Sequence, residues 1–227
     1  MNSHAFLAII PARAGSKRLR NKNLLKLLDI PLIGWTIKAA LESKYIEKVF
    51  VTTDSEDILS YSNSFGLDNH YLRPAHLATD DADSFSVVKD AIRENASYQD
   101  IVLLQPTSPL RTSFDIDQAI SMYLLKKSNN VVSINKIEEG STKFQIYYDS
   151  SSQRIASKGK FFQSNSKYQL NGAIYIFNRD KILCTKSFID DNSYGYLMPA
   201  ERSVDIDTKE DFELAKHHLG YKLHQKL

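Results

Sequence analysis

The stretch "FLAIIPARAGSKRLRNKN", residues 6–23, joins a short apolar run to a loop rich in positive charge. Residues 6–10 are almost continuously apolar, which is typical of a strand buried on both faces of a parallel sheet. At the carboxyl end of such a strand, small residues let a phosphate approach the backbone N–H groups, and cations neutralise its charge. The stretch therefore predicts a buried first strand followed by a polyphosphate-binding loop, whose cations are Arg13, Lys17, Arg18, Arg20 and Lys22.

This loop follows neither of two common glycine-rich phosphate motifs. No second glycine precedes Lys17, so G-x-x-x-x-G-K-[ST] is absent, and G-x-G-x-x-G is absent as well. A solvated basic loop is the plain alternative. The position favours a ligand site, because open α/β sheets bind ligands beyond the carboxyl ends of their strands.

Further apolar runs and helical patterns alternate along the chain. The runs are followed or preceded by segments whose apolar residues recur at helical spacing. Strand–helix–strand alternation at this spacing predicts parallel pairing, and hence a three-layer α/β protein with a mostly parallel sheet. The predicted strands are 48–53, 100–105, 130–134 and 171–177, and the predicted helices are 31–43, 84–95 and 113–127.

Composition excludes several classes of protein. The 227 residues carry 29 basic and 27 acidic side chains, a net charge of +2, which disfavours nucleic acid as the main partner. A lone cysteine, Cys184, excludes an intramolecular disulfide and a thiolate metal site. The apolar run at 6–10 is too short for a signal segment or a membrane span. We therefore expect a cytoplasmic protein with no membrane partner.

A second chemical signal lies in "RSVDIDTKEDFELAKHHL", residues 202–219. Apolar residues alternate there with Asp205 and Asp207, so a strand would project both carboxylates to one face. Paired carboxylates beside a phosphate site suit Mg²⁺, which prefers oxygen ligands and phosphates. The same acids could instead serve only the following helix, with Thr208 or Asp207 as its N-cap.

Two other loops carry polar side chains near the expected crevice. In "LLQPTSPLRT", residues 103–112, two prolines constrain the chain as it leaves a predicted strand, and Gln105 and Arg111 offer hydrogen bonds. Arg111 fits a structural salt bridge equally well. The stretch "RPAHLATDDADS", residues 73–84, reads only as a polar loop.

Residues 136–170 break the alternation of strands and helices. They are polar and rich in Ser and Lys, and their aromatic residues do not follow helical spacing. We predict one domain over residues 1–227, with an inserted arm of short strands or hairpins at about 136–170. Such an arm commonly covers an active site or pairs two subunits.

The sequence resembles the CMP-N-acetylneuraminate (acylneuraminate) cytidylyltransferases, which activate acidic nine-carbon sugars. The resemblance covers most of the chain and rests on "AIIPARAGSKRLRNKN", "PLIGWTIKAAL", "VTTDS", "LRPAHLATDDADS", "LLQPTSPLRT", "NGAIYIF" and "VDIDTKEDFELA". It implies a Rossmann-like nucleotidyltransferase sheet and a homodimer whose inserted arm reaches the neighbouring active site. It also implies transfer of CMP from CTP to the sugar's anomeric hydroxyl, with release of pyrophosphate.

The resemblance assigns roles to individual residues. CTP is expected to contact Arg13, Ser16, Lys17, Lys22, Asn23, Arg73, Ala82 and Ser84. The expected cofactor, Mg²⁺, would be held by Asp205 and Asp207. The sugar would face Gln105, Lys143 and Tyr175. The catalytic role falls to Arg13, Lys22 and Asp207, whereas Arg18 and Arg20 are expected to be solvated.

The inserted arm departs from the family's pattern. Sialate-type members carry an Arg-rich segment shortly before the "NGAIY" strand, and one arginine there meets the sugar's carboxylate. Here the segment reads "KGKFFQSNSKYQL", with Phe161, Lys158 and Lys160 where arginine is expected. The histidine-proline that usually precedes the family's lysine is also missing before Lys143. Lysine does not reproduce a bidentate arginine, so sialic, legionaminic, pseudaminic and related acids all stay open as acceptors.

Three other functions were weighed against this one. The first is a nucleotidyltransferase for another acceptor, such as an eight-carbon keto acid resembling KDO or a sugar phosphate. The second is a catalytically inactive nucleotide-binding module, which the intact Asp205 and Asp207 disfavour. The third is an RNA-binding protein, which the near-neutral net charge and the lack of aromatic residues within the basic loop disfavour.

Overall fold

A twisted sheet with helices on both faces organises the computed structural model, which describes residues 5–137, 145–156, 168–190 and 192–224. The strands are β1 (Phe6–Pro11), β2 (Lys26–Leu27), β3 (Ile30–Pro31), β4 (Ile46–Thr52), β5 (Asp100–Leu103), β6 (Asn130–Lys136), β7 (Gln145–Tyr148), β8 (Ile155–Ala156), β9 (Tyr168–Asn178) and β10 (Tyr194–Leu197). The helices are α1 (Leu32–Leu41), α2 (Glu56–Asn63), α3 (Ser84–Glu94), α4 (Ser113–Lys126), α5 (Arg179–Thr185) and α6 (Lys209–His224).

The main sheet has the strand order β10-β6-β9-β5-β1-β4. Strand β1 pairs in parallel with β4 and β5, and β6 pairs in parallel with β10. The predicted mostly parallel α/β sheet is therefore confirmed. The sequence reading of 171–177 as one more parallel strand is wrong, because β9 runs antiparallel to β5 and β6. A strand that pairs in parallel with its neighbour needs a long crossover connection. Strand β9 instead follows the inserted arm and pairs antiparallel with β7, a strand of that arm.

Alternating side chains of β1 supply both apolar layers. Phe6, Ala8 and Ile10 pack on one face with buried residues of α1, α2 and α4. Leu7 and Ile9 pack on the other face with residues of α3 and α5. Each fully buried aliphatic side chain contributes about 1.5–3 kcal/mol relative to an exposed one. Because the apolar run is buried on both faces, β1 lies in the middle of the three layers.

Thr208, one of the two N-cap residues predicted for the last helix, is confirmed as its cap. Thr208 Oγ1 accepts a hydrogen bond from the N–H of Asp211 at 3.2 Å, and Asp211 Oδ2 accepts from the N–H of Thr208 at 2.8 Å. Thr112 and Asp115 form the same reciprocal box at the start of α4. Within the described part of the chain, no helix is long and apolar enough to cross a membrane.

Short strands of the inserted arm pack on a small apolar cluster of their own. Strand β7 pairs antiparallel with β8 and with β9. Ile146, Tyr148, Ile155 and Tyr168 are buried there against residues of β6. The described part thus agrees with the predicted short strands. Some positions predicted to matter lie outside the described residues, namely Lys143, Lys158, Lys160 and Phe161. The single domain over 1–227 stays a prediction.

Candidate functional site

A cavity of about 500 Å³ opens where β1 and β5 end. Its floor includes Pro11 at the end of β1 and Leu103 at the end of β5. This is the edge of the sheet where open α/β proteins bind ligands. Every residue predicted to contact the nucleotide lines it: Arg13, Ser16, Lys17, Lys22, Asn23, Arg73, Ala82 and Ser84. We call it the charged cavity.

The basic loop after β1 is held in place by two side-chain hydrogen bonds. The N–H of Ala14 donates to Asp54 Oδ1 at 2.9 Å, and Asp54 follows β4, the strand next to β1. Asn23 is buried, and its side-chain amide donates to the carbonyl of Arg13 at 2.9 Å. Arg13 and Lys17 are thereby presented from a loop whose backbone is held at both ends.

A single carboxylate bridges these two cations. Asp80 Oδ1 lies 2.7 Å from Arg13 Nη2, and its Oδ2 lies 2.5 Å from Lys17 Nζ. The hydrogen bonds from Lys17 and Arg13 lower the pKa of Asp80. Asp80 lies in the loop that the sequence characterised only as polar. In the structure, Asp80 lies beside both cations, at a position where the same cations would also stabilise a phosphate.

A second cluster forms around Asp207. Lys22 Nζ, which is only 14% exposed, donates to Asp207 Oδ1 at 3.1 Å and to the carbonyl of Ile206 at 2.7 Å. Arg18 Nη2 lies 3.2 Å from Asp207 Oδ2. The side chain of Arg18 is largely exposed, as predicted, and it also forms this surface ion pair. The first loop and the last loop of the site meet through these ion pairs.

The segment before α6 differs from the predicted strand. Residues 203–207 are not part of a strand, because they run along the loop beyond β5, where the N–H of Ile206 donates to the carbonyl of Thr107 at 2.7 Å. Asp207 faces the charged cavity, whereas Asp205 lies close enough to Tyr175 to help raise the pKa of its phenol to about 12, after the larger effect of burial. Among the described residues, no group of three or more His, Cys, Asp or Glu side chains is arranged to hold a metal ion.

Arg73 is the buried cation of the charged cavity. It is 6% exposed, and burial lowers its pKa, against the opposing charge of Asp54. Its Nη1 donates to the carbonyl of Leu77 at 3.4 Å, but Nε and Nη2 have no partner within the described part of the chain. A buried guanidinium with open donors costs free energy unless an acceptor arrives. Arg73 is therefore suited to a ligand's oxygen atoms.

The charge of this cavity suits a polyphosphate. Two carboxylates, Asp80 and Asp207, oppose five cations among its lining residues, so its wall carries a net charge of +3. A triphosphate supplies about the complementary negative charge, and its oxygens accept hydrogen bonds from Arg and Lys. The cations concerned are Arg13, Lys17, Arg18, Lys22 and Arg73.

A second cavity of about 470 Å³ adjoins the first and shares Ser84, Leu103 and Gln105 with it. Tyr175, predicted to face the sugar, lines it together with Gln105. None of its described lining residues carries a charge; the others are Ile146, Leu170, Ser187, Phe188 and Ile189. We call it the uncharged cavity. Gln105 stands at the junction of the two.

Arg111 does not offer its side chain at the crevice. It is 2% exposed, and its Nη1 donates to the carbonyls of Ser108 at 3.1 Å and Gln105 at 3.5 Å. A direct salt bridge is not its role either, because the bidentate partner of Asp115 is Arg202, with Nη2 to Oδ1 at 2.9 Å.

Sequence reasoning missed several residues of this site. Asp80 lies in "ATDDADS", where three carboxylates stand close together and nothing in their spacing singles out one of them. Asp54 lies in "VTTDS", and its position directly after a strand was the available signal. Phe188 and Ile189 come from the loop after α5, which carries no recognisable motif.

Comparison with known proteins agrees with this geometry. A sequence model of the cytidylyltransferase family matches residues 7–219. The chain is 45% identical over 213 residues to an N-acylneuraminate cytidylyltransferase from Escherichia coli O18:K1:H7, covering 92% of this chain and 51% of that protein. It therefore spans about half the length of that relative.

A relative of matching length and a solved structure extend the comparison. The chain is 36% identical to a CMP-N,N'-diacetyllegionaminic acid synthase from Legionella pneumophila, covering 92% of this chain and 94% of that protein. Its fold resembles that of a CMP:2-keto-3-deoxy-manno-octonic acid synthetase complexed with CTP, with a TM-score of 0.76, 16% identity, and coverage of 96% and 99% of the two chains. At that identity the likeness concerns the fold alone.

Proposed function

The chain belongs to the cytidylyltransferase family, and we propose that it transfers CMP from CTP to the anomeric hydroxyl of an acidic nine-carbon keto sugar, with release of pyrophosphate. The observation that carries the proposal is the pairing of two cavities. The charged one, with a net wall charge of +3, meets an uncharged one at Gln105.

In this proposal the triphosphate lies on the first loop. Arg13 and Lys17 exchange Asp80 for phosphate oxygens, and Arg73 supplies its open donors to the nucleoside end. Lys22 and Arg18 approach the phosphates from the side of Asp207. The proposal is supported by the geometry of these side chains, since each has a donor in the cavity wall.

Asp205 and Asp207 are proposed to hold Mg²⁺. Two carboxylates are a donor set that suits this ion, which keeps several waters and takes its other ligands from substrate phosphates. Bound there, it would supply Lewis-acid stabilisation of phosphate charge. The side chain of Lys22 would hold Asp207 in place through the 3.1 Å contact between Nζ and Oδ1.

The acceptor is proposed to occupy the uncharged cavity. Tyr175 and Gln105 would hydrogen-bond its hydroxyls while the apolar wall excludes water. Its anomeric oxygen then attacks the α-phosphorus of CTP, the bond from that phosphorus to the bridging oxygen breaks, and pyrophosphate leaves with the electron pair. The hydroxyl proton is lost to a base. Arg13, Lys22 and Lys17 stabilise charge on the leaving phosphates.

The proposal extends to assembly and location. A homodimer in the cytoplasm would let the arm at 136–170 complete a neighbouring acceptor site, with Lys143 facing the sugar. Support comes from exposed apolar side chains at this end of the sheet, since Tyr147 on β7 is 41% and Leu197 on β10 is 40% exposed. A cross-link between two copies through this arm would test it.

The decisive experiment supplies purified protein with CTP, Mg²⁺ and a panel of acidic sugars. The panel contains sialic, legionaminic and pseudaminic acids and an eight-carbon keto acid. We expect pyrophosphate release and a CMP-sugar of the correct mass with a nine-carbon acid. Release with the eight-carbon acid alone would replace the acceptor, and no release with any acid would overturn the proposal. ATP, GTP and UTP serve as the nucleotide controls.

A further inference from the structure

Arg111 is a large, fully buried side chain whose charge is poorly matched by its surroundings. Its Nε and Nη2 have no hydrogen-bond partner within the described part of the chain. The carboxylate that attracts it, Asp115, already receives the guanidinium of Arg202 and the hydroxyls of Thr112 and Tyr196. Burying a cation that lacks hydrogen-bond partners and a carboxylate of its own lowers the stability of the folded protein.

The contacts that Arg111 does make are with one tight turn. Its Nη1 donates to the carbonyl of Ser108 at 3.1 Å and to that of Gln105 at 3.5 Å. The N–H of Ser108 also donates to the carbonyl of Gln105, at 3.3 Å. The guanidinium therefore lies beneath the turn 105–108 and links the carbonyl groups of its first and last residues.

This turn touches both substrate cavities and the acidic loop. Gln105 lines both cavities, and Thr107 lines the charged one. The carbonyl of Thr107 accepts the N–H of Ile206 at 2.7 Å, and the carbonyl of Ile206 accepts Lys22 Nζ at 2.7 Å. A chain of hydrogen bonds thus leads from the turn to the ion pair of Lys22 with Asp207.

We propose that Arg111 is a positioning residue: its guanidinium fixes the turn 105–108, so that Gln105 and Asp207 keep the distance needed to align the acceptor with the α-phosphate. This inference rests on the proposed function. Arg111 touches neither substrate. It acts through the turn, while the main contacts to the triphosphate come from the opposite loop.

The test compares Arg111→Met with the wild type and with Arg93→Met. Methionine fills similar volume without charge, and Arg93 is an exposed arginine on α3 that lies outside both cavities, so its loss controls for the lost charge. For Arg111→Met we expect kcat to fall about 10²-fold, as small misplacements of reacting groups do. The Kd of CTP, measured by calorimetry, should stay within about twofold of the wild type.

Stability separates positioning from a merely structural role. Replacing a poorly paired buried cation by an apolar side chain is often neutral or stabilising, so Tm should shift by no more than about 3 °C. Arg111→Lys keeps the charge and one donor to the turn, and should recover part of kcat. Arg93→Met should match the wild type in kcat and in the Kd of CTP.

A readout without turnover keeps this test separate from the proposed function. Amide hydrogen exchange at Ile206, whose N–H bonds to Thr107, should become about tenfold faster in Arg111→Met while the core of β1 is unchanged. If the wild type is inactive with every sugar, the proposed function fails and exchange at Ile206 still decides the positioning role. Wild-type exchange at Ile206, an undiminished kcat, or a loss of CTP affinity equal to the loss of kcat would overturn it.

Discussion

The charged and uncharged cavities meet at Gln105 but differ in the charge and polarity of their walls. The charged cavity has a wall with a net charge of +3, and four of its five cations are held in ion pairs by Asp80 and Asp207. The described wall of the uncharged cavity contains only neutral groups, and five of them are large apolar side chains. Charge alone indicates a polyphosphate in the first cavity. In the proposed function the second cavity selects the acceptor by shape and by a few hydrogen bonds, which many sugars could satisfy.

Asp207→Asn tests the charged cavity with the largest expected effect. Loss of the carboxylate removes one of the two proposed Mg²⁺ ligands and with it the stabilisation of charge on the reacting phosphates, so we expect kcat to fall about 10²–10³-fold. The fold should persist, since the backbone N–H of Asp207, rather than its side chain, bonds to Asp211. Pyrophosphate release measures the effect, and Glu210→Gln on exposed α6 is the matched control. Near-normal turnover would remove Asp207 from the reaction.

Lys22→Ala tests whether the charged cavity serves CTP alone. A charge-assisted hydrogen bond of this kind is worth about 1.5–3 kcal/mol, so kcat/KM for CTP should fall about 10–100-fold. The KM of the sugar should stay within about twofold. Lys26→Ala, an exposed lysine on β2, should behave as the wild type. Equal damage to both substrates would show that the two cavities are not separable.

Tyr175→Phe probes the uncharged cavity. We expect the KM of the sugar to rise about 2–10-fold through loss of one hydrogen bond, with no change for CTP. Because burial and the charge of Asp205 raise the pKa of this phenol to about 12, the effect should be constant across neutral pH. Tyr221→Phe, exposed on α6 and outside both cavities, is the control. Effects of Lys22→Ala and Tyr175→Phe should combine additively, and strong coupling would contradict the separation.

Asp80→Asn should have the smallest effect and the opposite sign. Without the competing carboxylate, Arg13 and Lys17 are free for phosphate, and the KM of CTP should fall about 2–5-fold, less so in high salt. Asp81→Asn, an exposed neighbour in the same loop, is the control. A raised KM would show instead that Asp80 helps CTP to bind.

The pH dependence of that difference follows from the lowered pKa of Asp80. Hydrogen bonds from Lys17 and Arg13 lower the pKa of this carboxyl, so it stays ionised even below the ordinary pKa of an aspartate, about 3.9. Its ion pairs are therefore present at neutral pH and are lost only as the pH falls through the lowered value. The difference in KM between Asp80→Asn and the wild type should be constant between about pH 6 and 8. A steep change in that range would assign the effect to another group.

Much of the fold was predictable because its rules are local. The run at 6–10 and the helical pattern at 113–127 were read correctly from periodicity, as β1 and α4. The direction of strand β9 was not predictable from local sequence. Its composition matches that of its parallel neighbours, and its antiparallel direction follows from the hairpin arm that precedes it. The alternation around Asp205 and Asp207 likewise resembles a strand, but those residues lie beyond the sheet and pair with a loop.

The amino-acid sequence by itself determined the buried first strand, the basic loop after it and the eight lining residues of the charged cavity that are predicted to contact the nucleotide, since these depend on apolar periodicity and on charges adjacent to strand ends. Tertiary structure alone decided how the charges pair. Asp80 lies more than sixty residues from the cations it bridges, and Arg18 meets Asp207 from the opposite end of the chain. The number of residues between two side chains in the sequence does not give the distance between them in the folded protein. The ion-pair partner of an exposed cation is decided only when distant loops meet at one edge of the sheet. The same is true of the burial of Arg111 beneath its turn.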